Sequence, residues 1–229
     1  YHMNPSGAPK NTLEVANTSS EPNSLSPIGI ENLKSIYKDH LESCRNKFSK
    51  YAGKHAPSFT FSTDGSVPTA VFQVKRDGSS PEVIIGLDFF IENNLSIKQT
   101  EWVMMHELTH FKDFDNNPEA YLKNFRDAEK MGIELSDRLA EAYQEKYGEE
   151  LPEIRKVSLS TKLGKMYSSG YFNIIDDIWV NHTVEGERDF AKGTAGDEER
   201  EKLYKKVLSP QNNLSYHDFE SYQFLYAML

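Results

Sequence analysis

Two histidines four residues apart, with a glutamate beside the first, constrain this chain more than any other stretch: His106-Glu107-Leu108-Thr109-His110. On a helix, such a pair lies one above the other on the same face, so His106 and His110 present two ring nitrogens to one point. Glu107 stands next to the first histidine, close enough to act on a water held at that point without being a ligand. Hydrolytic zinc chemistry needs this division of labour: the ion lowers the pKa of a water and a carboxylate accepts its proton. The surroundings favour a helix. Ser96-Ile97-Lys98-Gln99 is a capping box, and Asp115-Asn116-Asn117-Pro118 is a stop signal. Trp102, Met105 and Phe111 form an apolar side facing away from the histidines, which predicts a helix inside the protein.

Composition narrows the classes. The chain has 229 residues, room for one sizeable domain or a main lobe with a small helical lobe. Net charge is -9, which argues against a nucleic-acid footprint. No apolar run approaches the roughly 20 residues that cross a bilayer. The single cysteine, Cys44, excludes an internal disulfide framework and a Cys-rich zinc site. The compartment is left open between the cytoplasm and export. Tyr1-His2-Met3 reads as a cloning remnant, and the apolar end Phe224-Leu225-Tyr226-Ala227-Met228-Leu229 predicts a further domain beyond it.

Residues 1–27, rich in Asn, Ser, Pro and Thr, read as a flexible arm. Residues 28–190 are expected to form the main domain, and 191–229 a C-terminal helical segment. Leu33, Ile36, Tyr37, Leu41, Cys44, Phe48 and Tyr51 recur at helical spacing, predicting a scaffold helix that ends at Gly53, with His40 on its surface. Strands are predicted at 58–61, 70–74 and 82–87, separated by Asp64-Gly65 and Asp77-Gly78 turns. In hairpin order they make a small antiparallel sheet packed on the histidine helix, and a mainly helical lobe follows, an α+β arrangement. A free edge of such a sheet can take up an extended peptide as one more strand. Asn117-Pro118 starts a helix expected to stop at Gly132, a second runs from Ser136 to Gly148, and a third covers 153–168. The next stretch, Tyr171 to His182, has apolar positions 174, 175, 178 and 179 on one side and a polar row of Asn173, Asp177 and Asn181. The charged run 187–206 reads as a solvated face, and residues 214–229 as an aromatic docking helix.

A catalytic zinc site takes three protein ligands and an open position. The motif does not continue as in metzincins, since Asp113 and Asn116 stand where Gly and a third His would be. Cys44 is not in the context a peptide deformylase requires. His106-Glu107-Leu108-Thr109-His110 together with Asn173-Ile174-Ile175-Asp176-Asp177-Ile178-Trp179-Val180-Asn181 resembles the zincin metallopeptidases that take an acidic ligand from a later helix. The resemblance covers about residues 82 to 185. It implies a zincin-like fold, Zn2+ held by His106, His110 and Asp177, and Glu107 as general base. It also implies an outer hydrogen-bonding role for Asn173 or Asn181, with Asp176 as the alternative ligand. Asp176 and Asp177 point about 100° apart on a helix, so the two do not share one ion. A donor for the developing oxyanion is expected from Tyr171, with Tyr167, His182 and His217 as further candidates. The expected activity is cleavage of a protein or peptide substrate, most simply as an endopeptidase. The alternative is an inactive zinc-binding interaction domain with a peptidase fold.

Overall fold

The computed structural model describes residues 27–48, 57–62, 66–67 and 69–208. The architecture is α+β and mostly helical. The expectations for the N-terminal arm, for Gly53, for the Asp64-Gly65 turn, for His217 and for the 214–229 helix lie outside the described residues. The chain divides into two compact units, one spanning Asn116–Trp179 and the other built from the residues on either side.

The flanking unit begins with helix α1, Pro27–Lys47. Its inner face carries Tyr37, Leu41, Cys44 and, just past its end, Phe48, all buried. Strands β1 (Ser58–Ser62), β2 (Ala70–Gln73) and β3 (Glu82–Gly86) follow. They form a three-stranded sheet in the order β1-β3-β2. The predicted hairpin holds for β2 and β3, which pair antiparallel. Gly78 supplies the positive φ (80°) in their connection, a backbone conformation glycine adopts without the Cβ penalty. The prediction fails for β1, which pairs with β3 in parallel, so the sheet is mixed and not antiparallel. The reason is burial: β3 has the most continuous apolar run, with Val83 and Ile85 fully buried, and the middle of the sheet is the place that covers it. Residue 87 is not strand either, because Leu87–Glu92 forms the short helix α2.

Helix α3, Ile97–Asn116, carries the histidine motif. The capping box is present in both directions: Gln99 N–H donates to Ser96 Oγ at 3.2 Å, and Ser96 N–H donates to Gln99 Oε1 at 3.0 Å. Burial extends nearly all round the helix, beyond the single apolar side foreseen. Phe72 of β2 packs on Phe111 and Phe114, each at 5.9 Å between ring centroids. Trp102 meets Phe190 edge-on at 5.4 Å. Each such fully buried aromatic stabilises the fold by about 1.5–3 kcal/mol through area removed from water. Helix α7, Ala195–Leu208, belongs to the same unit. Ser96 Oγ donates to its Glu199 at 2.9 Å, tying the start of α3 to it.

The other unit is helical. Asn117 Oδ1 accepts from Ala120 N–H at 3.1 Å, and Pro118 opens helix α4 as predicted. That helix does not stop at Gly132; it runs unbroken from Pro118 to Tyr147, so the two predicted helices are one. Gly132 is a packing position and not a cap. A Cβ there would collide with the carbonyl of Leu163, whose carbon would lie 2.6 Å away, on helix α5 (Glu153–Lys165). Backbone cannot rotate out of the way, so Gly132→Ala is expected to destabilise the fold by about 1–3 kcal/mol. Denaturant midpoints for this variant beside wild type measure it.

Helix α5 passes into a π-helical turn, Met166–Tyr171, that the sequence did not announce. Helix α6, Phe172–Glu185, continues from it and crosses from one unit into the other. The apolar side expected on α6 is only partly right. Ile174, Val180 and Val184 are buried, while Ile175 and Trp179 are 67% and 59% exposed. Among the described residues no helix is long and apolar enough to cross a membrane.

Candidate metal centre

The two histidines converge as the helical spacing requires. His106 Nε2 and His110 Nε2 lie 3.1 Å apart, with the rings nearly perpendicular at 78°. Two nitrogens each about 2.05 Å from one tetrahedral ion would be roughly 3.3 Å apart, so little adjustment separates this pair from a ligating pair. His110 is buried and His106 partly so.

The outer nitrogen of His106 is held as well. Its Nδ1 lies 2.9 Å from Asn181 Oδ1 on α6. Tyr204 of α7 donates its hydroxyl to the same oxygen at 3.0 Å. Asn181 is 5% exposed, and its amide nitrogen has no hydrogen-bond partner among the described residues. A buried polar group left unpartnered costs about 1–3 kcal/mol. A leucine of similar size would avoid that cost, so this amide is explained by what its oxygen does.

Asp177 lies one turn before Asn181 on α6, and a four-residue step keeps the two on one face. Asp177 falls in the part of α6 that belongs to the helical unit, while Asn181 falls with the histidines. Two imidazole nitrogens facing one point are donors of the kind that bind a transition-metal ion. Glu107, beside His106, is buried. Asp176, the alternative ligand, instead accepts a hydrogen bond from Tyr121 at 3.2 Å. Of the two asparagines given an outer role, only Asn181 reaches a histidine. Asn173 Nδ2 donates to Ser169 O at 3.0 Å, within the π-helical turn. Tyr171 is 43% exposed and stacks edge-on against Tyr167 at 5.2 Å. His182 is exposed.

Comparisons with protein-family models, with curated proteins and with solved structures return no match. No family is assigned. The functional reading therefore stands on the side chains described above.

Tyr204 is the residue that sequence reading missed. It sits in the charged run taken for a solvated face, which gave it no chemistry. The signal was present but weak: Leu203 is buried, and Tyr204 interrupts an otherwise charged pattern. Arg200 also faces inward. It pairs with Glu185 at 2.8 Å and Asp197 at 2.7 Å, and its guanidinium lies over the rings of Trp102 and Tyr204.

A second group of possible ligands consists of His40, Cys44 and Glu101. His40 is not surface decoration, since its Nε2 lies 3.5 Å from Cys44 Sγ. Burial, then the charge of Glu101, push the Cys44 thiol up to about 12. Both Glu101 oxygens are already engaged, by Lys98 at 2.8 Å and Lys47 at 3.0 Å. A cation arriving there would meet a protonated thiol and two ammonium groups, so the group is a packing and ion-pair cluster. Burial raises the Glu101 carboxyl, but the hydrogen bonds from Lys98 and Lys47 outweigh it and hold the group below the usual range. A carboxyl lowered in the folded state stabilises above its unfolded pKa, and that contribution is lost as pH falls through the folded value. Glu101→Gln is thus expected to flatten the acid limb of a stability-versus-pH curve, measured by thermal melts below neutral pH.

Proposed function

We propose that this protein is a zinc-dependent metallopeptidase of zincin type, cleaving peptide bonds in a protein or peptide substrate. The observation that carries the reading is the convergence of two imidazole nitrogens at 3.1 Å, with the far side of His106 anchored to Asn181. Histidine ligands are held in this way, by a hydrogen bond on the nitrogen that faces away from the metal. The α+β arrangement, with a small sheet packed on the histidine helix, supports the same reading.

His106, His110 and Asp177 would hold the ion. Bound there, zinc supplies Lewis acidity and brings the pKa of a water to about 7. Glu107 accepts a proton as the water oxygen bonds to the scissile carbonyl carbon. It then gives that proton to the nitrogen as the C–N bond breaks, so one carboxylate serves both steps. Its buried position keeps bulk water from competing for the proton. Tyr171 is the donor proposed for the developing oxyanion. The half-exposed ring leaves its hydroxyl free to turn towards a bound substrate.

The test combines a metal assay on the purified chain with cleavage of an unfolded protein substrate, with and without chelator. The reading requires about one zinc per chain and cleavage that chelator abolishes and zinc restores. Zinc without cleavage would identify an inactive zinc-binding interaction domain. Absence of zinc would end the reading.

A further inference from the structure

We infer that Tyr204 is a positioning residue of this centre, acting through Asn181 to fix the tautomer of His106; its consequence for zinc rests on the reading above. Three groups meet at one amide oxygen. Asn181 Oδ1 is 3.0 Å from the Tyr204 hydroxyl and 2.9 Å from His106 Nδ1. A carbonyl-type oxygen has two lone pairs and no hydrogen to give, so it accepts from both neighbours. His106 Nδ1 therefore carries the hydrogen. A neutral imidazole has only one, so His106 Nε2 is left with a bare lone pair, facing His110 Nε2 at 3.1 Å.

Turning the amide over would aim its NH2 group at both neighbours. The His106 hydrogen would move to Nε2, where it would block ligation. The Tyr204 hydroxyl can both donate and accept, but a phenol is the stronger donor, so it favours the orientation that presents the amide oxygen, the one observed. Among the described residues nothing else restrains the amide by hydrogen bonding, since its nitrogen is buried without a partner there.

Tyr204 is itself held firmly. Trp102 of α3 meets its ring edge-on at 6.2 Å, and Arg200 lies 5.9 Å from the ring centroid. Arg200 bridges to Glu185 on α6 and to Asp197 on α7. The charged helix α7 thus aims one phenol at the histidine helix, with Arg200 and Asp197 drawn inward beside it. Helix α7 therefore supplies the group that readies the first histidine for metal.

The experiment uses the full chain with 15N-labelled histidine, free of metal, and reads the His106 tautomer from long-range proton–nitrogen correlations. Zinc affinity is then measured by chelator competition. Wild type is expected to show hydrogen on Nδ1. Tyr204→Phe is expected to give a mixture of tautomers and to weaken zinc by about ten-fold, the lower end of outer-shell effects. Asn181→Asp keeps an acceptor oxygen and should retain the Nδ1–H tautomer. Asn181→Leu should lose it, and Tyr204→Phe should then weaken zinc no further. Hydrogen on Nε2 in wild type would overturn the inference. So would a Tyr204→Phe effect that persists undiminished in the Asn181→Leu background, which would mark a merely structural role. A wild-type chain that binds no zinc but shows the Nδ1–H tautomer would sink the peptidase reading and leave the relay standing.

Discussion

Replacing Glu107 by Gln is expected to leave zinc bound and to slow peptide cleavage by at least ~100-fold, the usual scale of a general base. The substitution keeps size and shape, so a residue buried within α3 can change without opening a cavity. It removes only the ability to accept a proton. Because Glu107 is proposed as a base and not as a ligand, metal content should stay at the wild-type level. Metal analysis and cleavage rates on the same preparation separate the two effects. A variant that cleaves at the wild-type rate would remove Glu107 from the mechanism and the mechanism with it.

His110→Ala should have the opposite profile, losing metal first and activity as a consequence. A directly ligating imidazole contributes more than an outer hydrogen bond, so the loss in zinc affinity should exceed the roughly 10–100-fold of outer-shell changes. Thermal melts give a second reading. A ligand that binds only the folded state stabilises it by about 4 kcal/mol at a thousand times its Kd. Zinc should therefore raise the wild-type melting temperature and leave that of His110→Ala nearly unmoved. An equal rise in both proteins would place the ion elsewhere.

The elements that could be read in the sequence are those whose signals are local. The capping box at Ser96 and the Asn117-Pro118 start are side chain–backbone arrangements complete within four residues, and both are present. The hairpin of β2 and β3 follows from its Asp77-Gly78 turn in the same way. Gly132 misled because glycine at a helix end and glycine at a tight helix crossing look alike in one dimension; only α5 tells them apart. The parallel pairing of β1 was equally hidden, since it joins segments far apart in the chain and depends on which strand most needs covering. Ile175 and Trp179 were assigned to a buried side because they are apolar at helical spacing, yet they are exposed, since spacing alone does not say which side of α6 is covered.

The candidate site divides along the same line. That His106 and His110 converge follows from helical periodicity alone, which puts residues four apart on one face whatever surrounds them. The choice between Asn173 and Asn181 belongs to the tertiary structure. So does the arrival of Tyr204 from a charged helix. These depend on how α6 and α7 are turned towards α3, and that turn is set by packing between distant segments, for which no short stretch of sequence carries a signal.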